Sequence, residues 1–379
     1  MFTGLCLPDP HPDYVNAGCG QRTLSATRFA GRYRVVDFML SNMVNSGIDE
    51  IGMILNSHYQ SLIDHIGTGK EWDLARKSGG ITYFPPYLTD ERQSVNSEID
   101  GPLSRAAKAL SKTKNEYIVL ANSSIVYSMD FRPAIEAHME TGANVTAIYT
   151  KKVVEPDAVK YSVVFNISNE NKITGIRTPK ESESSKVLNV SLGAYIMHKT
   201  VFLELVSNEK NCGILRFAKD LLAGAMRRLQ VVGYEFKGYS AQICSVDTFF
   251  KHNMEMLDPK KRNALFQFEG RRIYTSRRDT LPTKYGASAE IKNSIVADGC
   301  RIDGTIINSV ICRNVRVKPG AVIKNCILQG GVIEDNAELE WIIVDRGAIV
   351  SQDVRLIGDS SYPVYIERDR VISGRGNRQ

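Results

Sequence analysis

Hydrophobic and polar positions follow one pattern before about Gly286 and another after it. In the first part, short apolar runs of strand length alternate with stretches of helical spacing. Three runs predict buried strands: residues 51–55, 117–121 and 143–150. Helical spacing over 35–46 predicts a helix that Gly47 terminates, and a second helix is expected between Asp130 as N-cap and Gly142. The alternation predicts an α/β domain with a mostly parallel sheet, in which ligands bind at the carboxyl ends of the strands.

The second part contains an internal repeat. Four segments begin at Asn293, Asn308, Asn325 and Trp341, 15 to 17 residues apart. In each, an aliphatic residue recurs six positions on, in the pairs Val296 and Ile302, Ile311 and Val317, Ile327 and Ile333, and Val344 and Val350. This hexapeptide pattern is typical of a parallel β-helix, whose coils bury their aliphatic faces by stacking, and a β-sandwich with coincidental spacing is the alternative. We therefore divide the chain into an α/β domain over residues 1–257, a linker over 258–285 and a left-handed β-helix over 286–379.

Composition narrows the class of protein. Charged residues make up 24% and apolar residues 43%, as in ordinary globular proteins. No apolar run approaches the roughly 20 residues of a membrane helix, and the start is too short for a signal peptide, so we expect a cytoplasmic protein that does not bind membranes. The seven scattered cysteines argue against disulfides or a zinc site. The net charge of +6 has no Lys/Arg block typical of nucleic-acid binding and suits phosphorylated small molecules or an acidic partner equally well.

Residues 29–48, FAGRYRVVDFMLSNMVNSGI, resemble the block F-G-G-K-Y-R-I-I-D-F-x-L-S-N-C-x-N-S-G-I of ADP-glucose pyrophosphorylases. Further matches follow in the family's order: SLIDHI at 61–66, SMDF at 128–131, SLGAYIM at 191–197, FAKDLL at 217–222 and SVDTFFKHNMEML at 245–257. The resemblance implies a Rossmann-like nucleotidyltransferase domain followed by a left-handed β-helix. In that family glucose 1-phosphate attacks the α-phosphate of ATP, which gives ADP-glucose and pyrophosphate. Such chemistry depends on a Gly-rich loop, a lysine and carboxylate-bound Mg²⁺.

Several positions that carry the family's chemistry hold other residues here. The family's G-G-x-G-x-R-L loop is replaced by a stretch with three prolines at 8–12, and residues 17–21 are a poor remnant of it. Leu24 stands where the phosphate-facing lysine is expected, and Ser124 stands where the first metal-binding aspartate is expected. Asp247 matches the second metal carboxylate and Ser191 a serine that contacts the sugar, so we expect a vestigial metal and sugar pocket. Arg177 replaces the glutamate of the family's E-K-P, whose charges hold glucose 1-phosphate.

Arg28, Arg32 and Arg34 are evenly spaced. In an extended chain they would share one face and could form an anion-binding cluster. Matching positions in the family lie near its sugar-phosphate effector site, so the resemblance implies an effector site here. A solvated arginine face is the alternative.

Together these features predict a non-catalytic, regulatory subunit of glucose-1-phosphate adenylyltransferase, of the GlgD type. It would modulate a catalytic sister subunit within a hetero-oligomer, most simply a tetramer, and would require no cofactor. A working pyrophosphorylase with a divergent site is the alternative, and only that enzyme would require Mg²⁺. A hexapeptide-repeat acyltransferase is set aside because none of the six histidines lies in the repeat. The sequence leaves open the identity of the effector and the subunit stoichiometry.

Overall fold

A computed structural model describes residues 2–8, 22–55, 58–86, 102–207, 217–268 and 270–374. It confirms an α/β domain followed by a left-handed parallel β-helix of the hexapeptide type. The strands of the first domain are β1 (Phe2–Leu7), β2 (Arg28–Phe29), β3 (Tyr33–Arg34), β4 (Glu50–Ile54), β5 (Gly80–Phe84), β6 (Tyr117–Asn122), β7 (Ile125–Tyr127), β8 (Val145–Val153), β9 (Val164–Ile167), β10 (Ile173–Arg177), β11 (Val187–His198), β12 (Val231–Glu235) and β13 (Ser240–Gln242). Its helices are α1 (Val35–Asn45), α2 (Gln60–Ile66), α3 (Pro102–Leu110), α4 (Arg132–Thr141), α5 (Lys199–Ser207), α6 (Ala223–Ala225, which continues a π-helical stretch over Ala218–Leu222) and α7 (Val246–Met254), and the predicted linker contains a further helix, α8 (Pro259–Phe266).

The main sheet has a parallel half and an antiparallel extension. Strand β1 is central, with β4 and β6 parallel to it on its two sides, and β5 is parallel to β4. Strand β11 then runs antiparallel to β6 and β8, and β12 pairs parallel with β8. Because β1 and β6 are buried on both faces, their sequences are continuous apolar runs. Their carboxyl ends meet at one edge of the sheet, where such folds place ligands.

The structure matches the expected elements with small shifts at their ends. The predicted strands correspond to β4, β6 and β8, and the predicted helix corresponds to α1, which ends before Gly47 with a φ of 79°. Helix α4 begins at Arg132 rather than directly after Asp130. The Asp130 carboxylate still accepts the backbone N–H of Arg132 at 2.9 Å, so it caps the helix from one residue further out. Gly142 ends this helix in the left-handed conformation, as predicted.

The β-helix consists of three parallel sheets, which we call the first, second and third walls. The first wall contains β14 (Lys284–Tyr285), β17 (Arg301–Ile302), β20 (Arg316–Val317), β23 (Val332–Ile333), β26 (Ile349–Val350) and β29 (Val371–Ile372). The second contains β15 (Glu290–Lys292), β18 (Thr305–Ile307), β21 (Val322–Lys324), β24 (Glu338–Glu340) and β27 (Arg355–Ile357). The third contains β16 (Ile295–Val296), β19 (Val310–Ile311), β22 (Ile327–Leu328), β25 (Ile342–Val344) and β28 (Val364–Ile366).

The register confirms the repeat except at one position. Ile302, Val317, Ile333 and Val350 stack inside the first wall, as their spacing predicts. In the third wall, however, Leu328 rather than Ile327 occupies the inward stack. The corner that follows contains two glycines, and Gly331 has a φ of 94°, so this turn of the coil uses five residues where the others use six. Ile327 instead points outward, toward the first domain.

The corners before the third wall have left-handed backbone conformations. Asn293, Asn308 and Asn325 have φ between 43° and 50°, a conformation that asparagine tolerates better than most residues. The Asn293 amide donates to the Asn308 side chain at 2.8 Å, as expected for stacked equivalent residues. Trp341 takes the same corner in the next coil at a φ of 57°, and its ring lies 5.8 Å from that of Phe250 in α7. The bulky residue is therefore held in a strained conformation by a contact with the first domain.

The two domains share a hydrophobic core, which we call the interdomain core. Val310, Ile327 and Ile343 of the third wall pack against Phe29, Phe249 and other buried residues of the first domain. One ion pair is buried at its margin: Arg22 Nη2 lies 2.8 and 2.9 Å from the two carboxylate oxygens of Asp345. The linker is also attached on both sides, because Ser41 of α1 accepts the N–H of Tyr274 and Arg313 of the β-helix donates to the Ser276 carbonyl.

Two further expectations concern cysteines and membranes. Five cysteines lie in the described ranges and are buried free thiols: Cys6, Cys244, Cys300, Cys312 and Cys326. Cys19 and Cys212 lie outside those ranges. In the part of the chain that the structure describes, no helix has both the length and the apolar character needed to cross a bilayer.

We expect Asp345→Asn to destabilise the protein by about 3–5 kcal/mol, because it leaves the buried Arg22 guanidinium without its counter-charge. The measurement is the free energy of unfolding from urea denaturation. As a matched control, Arg355→Ala breaks an exposed ion pair with Glu338 of 3.0 Å and should cost less than about 1 kcal/mol. Equal losses in the two variants would contradict the structural role of the buried pair.

Candidate functional site

A cleft opens at the carboxyl ends of β1 and β6, where the fold class places ligands. It is lined by Leu7, Pro8, Asn122, Ile125, Tyr161, Val163, Ser191, Gly193, Tyr195, Phe217, Ala218, Lys219 and Gln242. No carboxylate is among these described lining residues, and Lys219 is the cation among them. The cleft therefore presents amides, hydroxyls and apolar groups rather than the carboxylates that hold Mg²⁺.

The floor of the cleft depends on a bulge in β11. The register shifts between Ser191 and Ala194, and Gly193 has a φ of 64°. A Cβ atom at Gly193 would lie 2.8 Å from the Cβ of Asn122, so only glycine fits there without displacing its neighbour. The Ser191 hydroxyl accepts the Gly193 N–H and lies 3.1 Å from the Tyr195 hydroxyl. Burial raises the pKa of Tyr195 to about 12, so this pair of hydroxyls is uncharged at neutral pH.

Gln242, at the end of β13, is a lining residue that the sequence analysis missed. Its side-chain oxygen accepts from the Ser162 hydroxyl at 3.1 Å, and its amide N–H donates to the Tyr161 carbonyl at 3.2 Å. Both ends of the amide are thus occupied by protein groups, and the side chain carries no charge. This donor set does not fit a magnesium ion. The sequence feature that could have identified Gln242 is its position at the end of a short strand, β13. That strand pairs with β7, and Gln242 lies opposite Ile125, the residue after Ser124.

The two positions expected to be degenerate are not among the described residues that line the cleft. Leu24 belongs to a short 3₁₀ helix and is buried in the interdomain core with Phe29 and Val126. Ser124 is buried, and both its N–H and its hydroxyl donate to the Asn122 side-chain oxygen, at 2.8 and 2.6 Å. Neither residue supplies charge toward the cleft.

Among the described residues, Asp247 and Ser191 line different grooves, and Asp247 is not part of the lining of the sheet-edge cleft. The helix α7 that carries it begins at Val246, and its first turn faces a second groove, between the first domain and Trp341 of the β-helix. There the pKa of Asp247 is raised by burial and by the neighbouring carboxyl of Asp157. Across the described ranges, no three His, Cys, Asp or Glu side chains gather as a metal site would require.

The stretch that replaces the family's Gly-rich loop is only partly described, because residues 9–12 and 17–21 lie outside the described residues. Arg177, which replaces the glutamate of the family's E-K-P, is followed by a short 3₁₀ turn over Glu181–Glu183. Glu183 forms a two-pronged ion pair with Arg177 at 2.7 and 2.9 Å. The charge that replaces the family's E-K-P is therefore neutralised within the protein.

Arg28 and Arg34 come together by a different geometry from the one expected. Residues 28–34 form a hairpin of β2 and β3 rather than one extended strand, and Arg28 pairs with Arg34 across it. The turn uses positive φ at Ala30 and Gly31, and Gly31 packs against Ile295 of the β-helix. Arg32 follows this turn with its side chain exposed, and its guanidinium lies over the ring of Tyr33. The premise that all three arginines share one face is wrong because the chain reverses between them.

Further arginines join this pair at the boundary between the domains. Together they form what we call the arginine cluster: Arg22, Arg28, Arg34, Arg278 and Arg346. Burial, followed by the charges of Arg28, Arg278 and Arg346, lowers the pKa of Arg34 to about 9. Burial and the charges of Arg28, Arg22, Arg368 and Arg278 likewise lower the pKa of Arg346. The charges that lower the pKa values of Arg34 and Arg346 come from neighbouring arginines, so positive charge is concentrated at one place.

The cluster's hydrogen-bond partners are largely backbone oxygens. Arg28 Nη1 donates to the Gln329 carbonyl at 2.5 Å and to the Arg313 carbonyl at 3.2 Å, and Arg34 Nη1 donates to the Ser61 carbonyl at 2.6 Å. Asp345 is paired with Arg22, while the Asp37 carboxylate accepts the N–H of Arg34 and lies 2.6 Å from buried His65. Helix α1 begins directly after Arg34, and its positive end adds to the local potential. This arrangement favours an anion.

We expect Asp247→Asn to stabilise the protein at pH 7 by less than about 1 kcal/mol, because the half-buried carboxylate is screened by solvent. Its folded-state pKa is raised, so the stabilising protonated form is lost as the pH rises through that value. The gain from Asp247→Asn should therefore vanish near pH 3. Urea denaturation at both pH values measures this, with the exposed Asp64→Asn as control. A gain that stays the same at pH 3 and pH 7 would contradict the raised pKa of Asp247 as its cause.

Comparisons with known proteins agree with this architecture. Residues 23–258 match the nucleotidyl transferase family, and residues 280–362 match the GlmU-like C-terminal hexapeptide family. The glycogen biosynthesis protein GlgD of Bacillus subtilis (strain 168) is 31% identical over 93% of this chain and 91% of that protein. GlgD of Geobacillus stearothermophilus is 32% identical over 80% and 77%, and glucose-1-phosphate adenylyltransferase of Thermosipho africanus (strain TCF52B) is 30% identical over 79% and 72%. The chain therefore belongs to the ADP-glucose pyrophosphorylase family, and within it to the GlgD type.

Proposed function

We propose that this chain is a non-catalytic, regulatory subunit of glucose-1-phosphate adenylyltransferase that acts in the cytoplasm and modulates glycogen synthesis. The observation that carries the proposal is the distribution of charge. The cleft at the sheet edge has no carboxylate among its described lining residues, whereas five arginines gather between the domains. Relatives named GlgD and glucose-1-phosphate adenylyltransferase supply the biological context.

Loss of the reaction follows from what nucleotidyl transfer requires. The transition state spreads negative charge over phosphate oxygens, and catalysis consists mainly of positioning and neutralising that charge. Here the Gln242 amide is held by Ser162 and Tyr161, and Leu24 is buried in an apolar core. Removing one electrostatic group typically costs about 10²–10³ in rate, and several are missing. In this proposal the subunit needs no cofactor.

The regulatory role rests on the arginine cluster. Arg28 and Arg34 belong to the first domain, Arg278 to the linker and Arg346 to the β-helix, so a bound sugar phosphate would contact all three parts. A ligand shifts an equilibrium only when it binds two states with different affinity. An anion that bridges the domains meets this requirement, because its affinity depends on their relative position. We infer that the response reaches a catalytic sister subunit within a mixed tetramer.

A working pyrophosphorylase is the second candidate function. Lys219 favours it, since this cation lines the cleft and could face a phosphate. Mg²⁺ would then be needed and would have to be held by groups outside the cleft's described lining.

We expect the purified chain to make no ADP-glucose from ATP, Mg²⁺ and glucose 1-phosphate above a mock preparation. The matched comparison is a 30% identical glucose-1-phosphate adenylyltransferase, that of Geobacillus stearothermophilus, assayed in parallel. Leu24→Lys should not restore activity, because the new ammonium group would enter the interdomain core, where burial of a charge is costly. Turnover within tenfold of the comparison enzyme would overturn the non-catalytic proposal and favour the second candidate.

We expect Arg346→Met to weaken binding of a sugar bisphosphate by about tenfold to a hundredfold, the range for loss of a charge-assisted hydrogen bond of about 1.5–3 kcal/mol. Isothermal titration calorimetry measures this on the chain alone, and the effector response of the mixed enzyme measures its consequence. Arg34→Ala should act in the same direction. Arg355→Met, on the second wall, is the control and should bind as wild type. If Arg346→Met binds the sugar bisphosphate with the wild-type affinity, the arginine cluster is not the effector site and has only a structural role.

A further inference from the structure

The first wall of the β-helix has an outward row whose two halves differ in chemistry. Strand pairing places six outward residues in one row, in the order Lys284, Arg301, Arg316, Val332, Ile349 and Val371. We call this row the first-wall face. Strands in such a sheet lie about 4.8 Å apart, so the row extends about 24 Å. One half is cationic and the other is aliphatic.

Both halves are accessible. The three cations are exposed, and Arg301 forms one loose ion pair, at 3.5 Å, with Asp303. Val371 is 62% exposed, while Val332 and Ile349 are half-buried. Covering exposed aliphatic area is favourable by about 25 cal/mol per Å², so a contiguous apolar row of this kind favours association.

The other two walls do not offer an equivalent surface. The third wall is covered by the first domain through the interdomain core. The second wall carries outward residues of both signs without segregation, including Glu290, Lys292, Lys324, Glu338 and Arg355. The first-wall face thus differs from both in separating one charge sign from apolar residues.

Symmetry argues against a second copy of this chain as the occupant. A two-fold axis parallel to the β-helix would place each cation of one copy opposite the same cation of the other. A two-fold axis perpendicular to it would place Lys284, Arg301 and Arg316 opposite the aliphatic half, where they would lose water without gaining a counter-charge. Both arrangements are costly, and like charges placed opposite each other suppress the wrong partner.

We propose that the first-wall face binds the catalytic sister subunit, through a surface that is acidic opposite Lys284, Arg301 and Arg316 and apolar opposite the aliphatic half. This inference rests on the proposed function and names the surface by which the two chains associate. The repulsion between identical faces favours the mixed oligomer over the homo-oligomer. Association should therefore be faster and tighter at low ionic strength.

The test is binding of the full-length chain to the co-expressed catalytic sister, with the Kd measured by biolayer interferometry and the oligomer size by light scattering. Val332→Asp combined with Ile349→Asp should raise the Kd at least tenfold. The matched control, Val322→Asp combined with Ile307→Asp, places the same charges at half-buried outward positions of the second wall and should change the Kd less than twofold. Arg301→Glu combined with Arg316→Glu alters only exposed side chains, so it tests the face without risk to the fold, and it should also raise the Kd at least tenfold.

The outcomes separate the two proposals. If wild-type chains form the mixed oligomer but both first-wall variants bind as wild type, the surface is wrong and the proposed function stands. If wild-type chains do not associate with the sister, both fail. A homodimer that the first-wall variants dissociate would also overturn this inference, because its occupant would be a second copy.

Discussion

The buried ion pair between Arg22 and Asp345 fixes how the two domains meet. Its partners are 323 residues apart, and Tyr365 donates a third hydrogen bond to the same carboxylate at 2.8 Å. Two charges in a water-poor interface must satisfy each other, so the pair tolerates little displacement. The interdomain core then packs around this fixed point. The hairpin that carries Arg28 and Arg34 follows only a few residues after Arg22, so its position is set by the same constraint.

Nucleotidyl transfer needs charged side chains in the cleft at the sheet edge, but in this protein the positive side chains gather at the boundary between the domains. The sheet-edge cleft retains a shaped floor and a hydroxyl pair, but its described lining is nearly uncharged. The boundary between the domains carries the strong positive potential instead. Because α1 begins directly after Arg34 and is hydrogen-bonded to the linker through Ser41 and Asn45, a change at the boundary can reach both domains through ordinary packed contacts.

Hydrophobic periodicity reports directly on burial, so the sequence predicted three strands and two helices of the first domain close to where the structure has them. The sequence also located the repeat. Its one wrong position was the inward residue of the third coil, which is Leu328 rather than Ile327, because two glycines shorten the corner that follows. The site was harder to predict. Even spacing predicted that Arg32 shares a face with Arg28 and Arg34 only because the segment was assumed to be one extended strand. Spacing alone cannot distinguish such a strand from a hairpin with a tight turn at Gly31. Gln242 was missed because an uncharged amide carries no motif, and its importance depends on which strand end faces the cleft.

A contact between distant segments leaves no local pattern, so the shared core of the two domains could not be inferred either. The sequence indicated two regions with separate patterning and a linker. Only the folded chain shows that Leu24, which stands where the family's phosphate-facing lysine is expected, packs in the interdomain core. The same leucine is thus the loss of a phosphate-facing charge when it is compared with the family, and an apolar contact between the domains when it is seen in the structure.

The strained corner at Trp341 has a spectroscopic consequence. The chain has two tryptophans, and they lie in unlike surroundings. Trp72 is 1% exposed in the core of the first domain, whereas Trp341 is half-buried in the groove where the β-helix meets Phe250. Trp72 should therefore give the blue-shifted part of the tryptophan fluorescence, which reports on the first domain. Trp341 should give the part that a soluble quencher reaches, which reports on the contact between the two domains. Quenching of Trp341 fluorescence can therefore follow separation of the two domains in the unlabelled protein, independently of the unfolding of the first domain.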